Sequence, residues 1–576
     1  MVSNQDIAGV FEEISELLEL KNSDRFRIIA YQRAAQAIRS HGEPISTIFE
    51  RGGEKELQKI TGIGESIASK IAEYIKTGKV RELEVLRGKA PAAEVEFLHI
   101  QGVGPKTATK LFKELKATGI EDLKKKLKEK GPKYFKEKSL NKILKGIEIS
   151  GRLGSRKLLS EVRPYIEELV QYLEKSDQAK NITPVGSYRR WRDTVGDVDI
   201  IATSPNPDKV ISHFVNFPGF SQIINRGPAK SSAVHSGGFQ VDLEIMDDSE
   251  FGSLLQHFTG SKEHNVALRT YAQTQGLSVS EHGIKITSGS KKGSIIKCSK
   301  EEQVYQTLKM DFIEPELRED RGEIEAALRH ELPSLVNLKD INGDLHIHST
   351  WSDGTNSIEQ LVKKADDLGY EFIAISDHTV SLGIARGLSS ERFRLRHSEI
   401  EATRKKFPNI KILNSCEINI KPDGSLDLDD DIMKTFDVVT ASVHSSFSQS
   451  KELMTERIIN AVKNPFVDII GHPTGRLINE REGYDADWKK IFEVCAKENV
   501  ALEINSFPER LDLTDTLVLE AKKFKIKFAI STDAHNITHL DNMVYGVSVA
   551  RRGWCEKKDI LNCYGSTELI SWLKTN

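Results

Sequence analysis

From residue 342 onward, short apolar runs alternate with helical segments, and nearly every run stops on a histidine or a carboxylate. Asp344-Leu345-His346-Ile347-His348 sets two imidazoles at i and i+2, on one face of a strand, and Asp353 follows in a Ser-Asp-Gly turn. His378 comes after the apolar run 372–375, Glu417 after Ile412-Leu413, and His444 after Val438-Val439. His472 closes 467–470, and Asp533 and His535 close 528–530. Helical patterns at 358–368, 451–463 and 487–498 lie between them. Alternating strand and helix with polar residues at the strand C-termini describes a parallel barrel of the TIM type.

One histidine on an apolar stretch is more often a core residue than a ligand. Six histidines and three carboxylates, each placed after an expected strand, point instead to a site for two to three divalent metals. Imidazole with carboxylate suits Mn²⁺, Zn²⁺ or Fe²⁺ rather than Ca²⁺, and closely spaced metals bridged by acids suit phosphoester hydrolysis. Glu503, after Val500-Ala501-Leu502, either adds an acid to that site or is buried beside it.

A second acidic constellation lies upstream. Asp197 and Asp199 flank Val198, so in a strand they share a face, and Asp242 lies in another alternating run at 239–246 that could pair alongside. Three carboxylates on adjacent strands suit two Mg²⁺ (or Mn²⁺) ions about 3.5 to 4 Å apart, as in phosphoryl transfer. A lone Asp-x-Asp is usually a solvent-facing strand end. Here it follows Gly186-Ser187-Tyr188-Arg189-Arg190, where a glycine turn exposes backbone N–H groups and arginine offers a planar phosphate contact.

The first 150 residues carry a net charge of +6, leaving −9 for the remainder, with ten lysines between 124 and 145. Thr61-Gly62-Ile63-Gly64 opens a helical pattern, and Gln101-Gly102-Val103-Gly104-Pro105-Lys106 repeats it 40 residues later. This duplication is of helix-hairpin-helix type: glycines permit close approach to a phosphate backbone, and the next helix offers its N-terminal N–H groups. Gly62, Gly64, Gly102, Gly104 and Lys106 are therefore candidate contacts to DNA, made without reading bases.

On these motifs residues 5–320 resemble the family X DNA polymerases, the polymerase-β-like repair enzymes, in their bacterial or archaeal form. The resemblance implies metal ligation by Asp197, Asp199 and Asp242, and triphosphate contacts by Gly186, Ser187 and Arg190, with Gly196 beside them and Arg152 as a further contact. His257-Phe258-Thr259-Gly260 matches the sugar-facing turn, with Asn265 and Arg269 against the nascent base pair. Lys70 matches the lysine that in some members forms a Schiff base with an abasic sugar. The animal polymerase β has Tyr at His257 and Arg at Gln240, and Ser66 replaces the basic neighbour of the lyase lysine. The nine residues His346, His348, Asp353, His378, Glu417, His444, His472, Asp533 and His535 match every metal position of the PHP (polymerase and histidinol phosphatase) domain, a distorted (β/α)7 barrel.

The expected architecture is multidomain, α+β and α/β. It comprises a lyase-like helical unit at 1–90, a fingers-type unit at 91–150, a nucleotidyltransferase palm at 151–258, a thumb at 259–318, a charged linker at 319–340 and the barrel at 341–576. Five cysteines without a C-x-x-C pair, no leader pattern, and no apolar run approaching ~18 residues predict a cytoplasmic protein with no membrane partner. The implied partners are gapped or nicked DNA and deoxynucleoside triphosphates, and the implied state a monomer. The implied activity is templated gap-filling joined to exonuclease, 3′ end-processing or abasic-site cleavage. Two rivals are a template-independent nucleotidyltransferase and a small-molecule phosphatase on a DNA-binding scaffold.

Overall fold

The computed structural model describes residues 4–20, 23–40, 45–60, 62–87, 91–97, 100, 103, 105–136, 139–140, 143–144, 147, 156–382, 385–479 and 481–573. Gly102, Gly104, Arg152 and the side chain of Lys106 lie outside them, so the second hairpin and one expected triphosphate contact have no structural account.

In the N-terminal third, helices Asn4–Leu20, Arg25–Ser40, Ile45–Leu57, Glu65–Thr77, Arg81–Arg87, Pro105–Leu115 and Ile120–Tyr134 enclose one core. Ile7, Phe11 and Ile14 share a helix face by their spacing and pack with Ala34, Ile38, Ile71 and Leu111. Gly62 has φ +95°, and Gly64 caps Glu65–Thr77 without a side chain, leaving the first N–H groups of that helix unscreened.

A five-stranded sheet follows, in the order Lys180–Pro184, Asp197–Thr203, Gln240–Met246, Lys230–His235, Phe220–Arg226. Its central pair is parallel, Asp197 opposite Gln240 and Asp199 opposite Asp242. Val198, Ile200, Val241 and Leu243 point to one face, where Val162, Ile166 and Leu169 of helix Leu159–Glu174 cover them. The acids are thereby left on the other face.

Helices Phe251–Thr259, Lys262–Thr274 and Glu301–Thr307 and a three-stranded sheet form the next layer. The stretch expected as a linker contains helix Glu323–Arg329, whose Ile324 and Ala327 pack with Leu268, Val304 and Tyr305. Its charge pattern hid two apolar side chains one turn apart, and it is packed structure.

The C-terminal part is a nearly closed barrel of seven parallel strands in sequence order: Gly343–Ile347, Phe372–Ile375, Lys411–Asn419, Val438–Ser442, Ile469–Ile470, Ala501–Asn505 and Phe528–Ser531. Ile347 bridges Ala534, and His348 N–H donates to Ala534 O at 2.8 Å, bringing the first strand against the last. Strands buried on both faces read as continuous apolar runs, as the sequence had them. Ser357, Ser389, Ser450, Asp487 and Thr514 each cap an outer helix by accepting a backbone N–H three residues on.

The barrel is joined to the palm side by charge. Arg552, 3 % exposed, donates to Arg190 O (2.8 Å), Glu319 (3.1 Å) and Asp515 (2.6 Å), and Arg321 pairs with Asp515 at 3.1 Å. Arg476 reaches Asp193 at 3.3 Å. Burial alone would raise the Glu319 carboxyl, but Arg552, Arg190 and Arg192 hold it down to about 2.

Candidate active sites

In the palm, the parallel register sets Asp242 directly beside Asp199, with Asp197 one pleat away on the same face. Burial, then the charges of Asp197 and Asp242, push the Asp199 carboxyl up to about 7. Converging like charges of this kind are what a divalent cation relieves. Helix Gly186–Arg189 runs against them. Gly186 has φ +65°, a Cβ there would stand 3.3 Å from Asp199 Oδ2, and Val185 N–H donates to Asp199 O at 2.8 Å. The chain thus carries Ser187 past the carboxylates at a separation only glycine allows. At Gly196 a Cβ would stand 3.3 Å from Arg156 Nη1.

Other expected contacts are placed differently. Arg190 is engaged within the protein: it donates to Glu319 Oε1 (2.9 Å) and Thr259 O (2.8 Å). Its neighbour Arg189 is held by Glu301 and by Thr259 Oγ1. Asn265, 8 % exposed, is engaged by its own turn. Its amide donates to His257 O (2.7 Å) and Gly260 O (3.2 Å) and accepts from Gln256, so it braces the 257–260 turn, while Arg269 Nε donates to Asn265 O. Phe258 O lies 4.0 Å from where a Gly186 Cβ would be, which brings that turn alongside Gly186. His257 is half-buried, 3.8 Å from Glu281, and burial pushes its imidazole down. Lys230, which no spacing singled out, lies 3.0 Å from Glu244 and 5.9 Å from the Phe258 ring centroid, near enough to Asp199 to oppose the raising of its carboxyl.

Lys70 donates to Ser66 Oγ (2.8 Å) and Ser66 O (3.2 Å) and pairs with Glu82 at 3.2 Å. Glu82 also takes Tyr31 Oη and Arg27. The residue that replaced a basic neighbour in the sequence is thus a hydrogen-bond partner, and the lysine amine is engaged with its own helix.

The barrel brings all nine expected ligands together at the strand C-termini. Glu417 is central: Oε1 lies 2.9 Å from His472 Nε2 and 3.1 Å from His444 Nε2, and Oε2 lies 2.8 Å from His378 Nδ1 and 3.4 Å from His346 Nε2. Asp533 Oδ1 is 3.1 Å from His348 Nε2, and Asp353 Oδ2 is 3.4 Å from His535 and 3.5 Å from His378. Three overlapping groups could each hold an ion: His348, Asp353, His378 and His535; His346, His348 and Asp533; His378, Glu417 and His444.

The donor set fits metal ions for a further reason. Buried His346 Nε2, His348 Nδ1 and Asp353 Oδ1 have no hydrogen bond, a costly state that an ion would relieve. Burial first, then the neighbouring His535 and His378, push His348 down to about 4, so its imidazole is neutral, the form that ligates. Backbone strain collects here too, with φ +26° at His472 and +51° at Asp533.

Behind the ligands stands a layer the sequence only partly disclosed. Glu503 Oε1 lies 2.7 Å from His346 Nδ1, and its Oε2 accepts from His472 N (2.6 Å) and Asn505 (3.1 Å). Asn419 Oδ1 lies 2.7 Å from His444 Nδ1, and Asn505 donates to Asp533 Oδ2 at 3.1 Å. Asn419 and Asn505 each end a buried strand, the one signal that could have marked them. Asp377 turns away, accepting from Ser349, Ser352 and Arg396.

Known proteins match the chain part by part. A helix-hairpin-helix domain model matches residues 2–80 and a SAM-like helix-hairpin-helix tandem 54–118. The DNA polymerase beta thumb matches 254–319, and the PHP domain 344–507. The DNA polymerase lambda of Rattus norvegicus is 24 % identical over 344 residues, 54 % of this chain and 56 % of its own. A probable phosphatase of Thermoanaerobacter sp. (strain X514) is 32 % identical over 203 residues, 33 % of this chain and 78 % of its own. The DNA polymerase/3′-5′ exonuclease PolX of Bacillus subtilis (strain 168) is 36 % identical over 577 residues, 99 % of both chains. With both catalytic halves matched end to end in one relative, the chain belongs to the PolX family.

Proposed function

We propose that this protein fills short gaps in DNA during repair, copying a template with deoxynucleoside triphosphates, and that its barrel processes 3′ ends as a metal-dependent phosphoesterase. The observation that carries this reading is the presence in one chain of two clusters of candidate ligands of different chemistry, carboxylates alone in the palm and imidazole with carboxylate in the barrel. The PolX relative, named for both a polymerase and a 3′-5′ exonuclease, supports the pairing.

Asp197, Asp199 and Asp242 would hold Mg²⁺ or Mn²⁺, which when bound supplies Lewis acidity toward the attacking and leaving oxygens. The chain does the rest. Gly186 and Ser187 present backbone N–H groups to the triphosphate beside Gly196, and the turn 257–260, held by Asn265, bounds the sugar. Arg190 reaches phosphate by exchanging Glu319 for it. Arg152 adds a further contact, and Arg269 supports the base-pair side through Asn265. The hairpins at Gly62 and Gly64 and at Gly102, Gly104 and Lys106 grip the backbone of gapped or nicked DNA, with Lys70 beside the first.

In the barrel, two to three ions of Mn²⁺, Zn²⁺ or Fe²⁺ fit the nine ligands and when bound supply charge neutralisation at phosphorus and an acidified water. His348 contributes as a neutral imidazole, and Glu503 fixes the ring of His346. The units 1–90, 91–150, 151–258, 259–318 and 341–576 divide these tasks in a cytoplasmic monomer.

The test replaces His346 and His348 together with Ala. Extension from a 3′-hydroxyl primer should stay intact, extension from a 3′-phosphate primer should stop, and a separate phosphatase should restore it. If the double variant extends 3′-phosphate primers as well as the wild type, the barrel does not process these ends.

A further inference from the structure

The barrel cavity, about 250 Å³, is lined by seven of the nine ligand residues and by three others, Arg510, Leu382 and Ala385. Arg510 differs from Arg396 and Arg476. Arg396 donates to Asp377, Asn414 and Ser415 O, and Arg476 to Arg510 O, Leu511 O and Asp193, so each is matched by protein acceptors. The Arg510 guanidinium makes no hydrogen bond with any described residue. Its one partner is Asp533, with Nε 3.6 Å from Oδ2, and its side chain is 22 % exposed, into the cavity.

Its backbone, by contrast, is pinned. Arg510 N–H donates to Phe507 O at 2.8 Å and Arg510 O accepts from Arg476 Nε at 2.7 Å. A guanidinium at the rim of a cation site repels the cations bound there unless an anion lies between them. Its two N–H edges match two oxygens of one phosphoryl group, a fit that lysine lacks.

We infer that Arg510 is the phosphate-positioning residue of the barrel, holding the non-reacting oxygens of a phosphoester while Leu382 and Ala385 receive the apolar face of one terminal nucleoside. The nucleoside part rests on the end-processing reading above; the phosphate part stands on the guanidinium alone.

The experiment compares full-length, Mn²⁺-loaded wild type with Arg510→Gln and Arg510→Lys. Inorganic phosphate binding by calorimetry and KM for a single-stranded oligonucleotide should both worsen roughly 10- to 100-fold in Arg510→Gln, the loss of one or two charge-assisted bonds, with partial retention in Arg510→Lys. Bound manganese and extension from a 3′-hydroxyl should not change. Unaltered phosphate affinity in Arg510→Gln overturns the inference, as does loss of manganese from that variant, which would make Arg510 a brace for Asp533. If the wild type binds phosphate through Arg510 yet hydrolyses no DNA end, the end-processing reading and the nucleoside part fail while the phosphate-positioning role stands.

Discussion

Glu417 in the barrel is 1 % exposed and lies within 3.4 Å of four histidines, whereas Asp197 in the palm is exposed and its nearest carboxylates repel one another. Both sites collect acids at strand ends. The barrel supplies counter-groups from its own chain and fixes them with Glu503, Asn419 and Asn505, so it is assembled before any ion or substrate arrives. The palm supplies little beyond Lys230 and leaves Arg190 paired with Glu319. Its order must come with metal and triphosphate, which suits a site that admits a different nucleotide each cycle.

The sharpest way to break this comparison is Asp199→Ala. It should reduce primer extension to background while hydrolysis by the barrel survives, checked by running both assays on one preparation. Joint loss of the two activities would mean that the sites are not separate.

Glu319→Gln comes next. Three arginines lose a buried partner, at a cost of about 3 kcal/mol near neutral pH. The Glu319 carboxyl is held down to about 2 against an ordinary value of 4.5, so its contribution is present above about 4.5 and fades as pH falls through about 2. Thermal melts should therefore show the gap between wild type and variant closing between pH 5 and 2. A gap that is constant across that range would remove Glu319 from the account.

Smaller effects separate prior assembly from induced order. Glu503→Gln should weaken metal retention by the barrel about 10- to 100-fold, read as metal content after dialysis. Gln240, which donates to Asp242 Oδ1 at 2.9 Å, is the palm's nearest counterpart, and Gln240→Ala should lower extension by no more than about 10-fold. Equal losses in the two variants would mean that the palm is as pre-built as the barrel.

The convergence of His378, Glu417, His444, His472, Asp533 and His535 was legible because each follows an apolar run, and a parallel barrel leaves such positions one place to go. Asp242 was legible as an acid in an alternating run, but its parallel register with Asp199 is a long-range pairing no local pattern carries. The protein partners of Arg190 and Asn265 were hidden for a related reason. Their partners, Glu319 and the carbonyls of the 257–260 turn, are set by packing, and a residue type suited to phosphate or base is equally suited to them. The helix at 323–329 was missed because its apolar residues are interspersed with Glu323, Glu325 and Arg329 inside a longer charged stretch.

The junction around Arg552 has a consequence for how the two halves can be inherited. Severed between 319 and 340, the barrel would keep Arg551 and Arg552 without Glu316 and Glu319, and the palm would keep those acids without their arginines. Each fragment would expose a face designed for burial, prone to promiscuous association. Synthesis and end-cleaning are thus tied by a shared seam, and a lineage that discards one activity is better served by point changes at its ligands than by deleting its half of the gene.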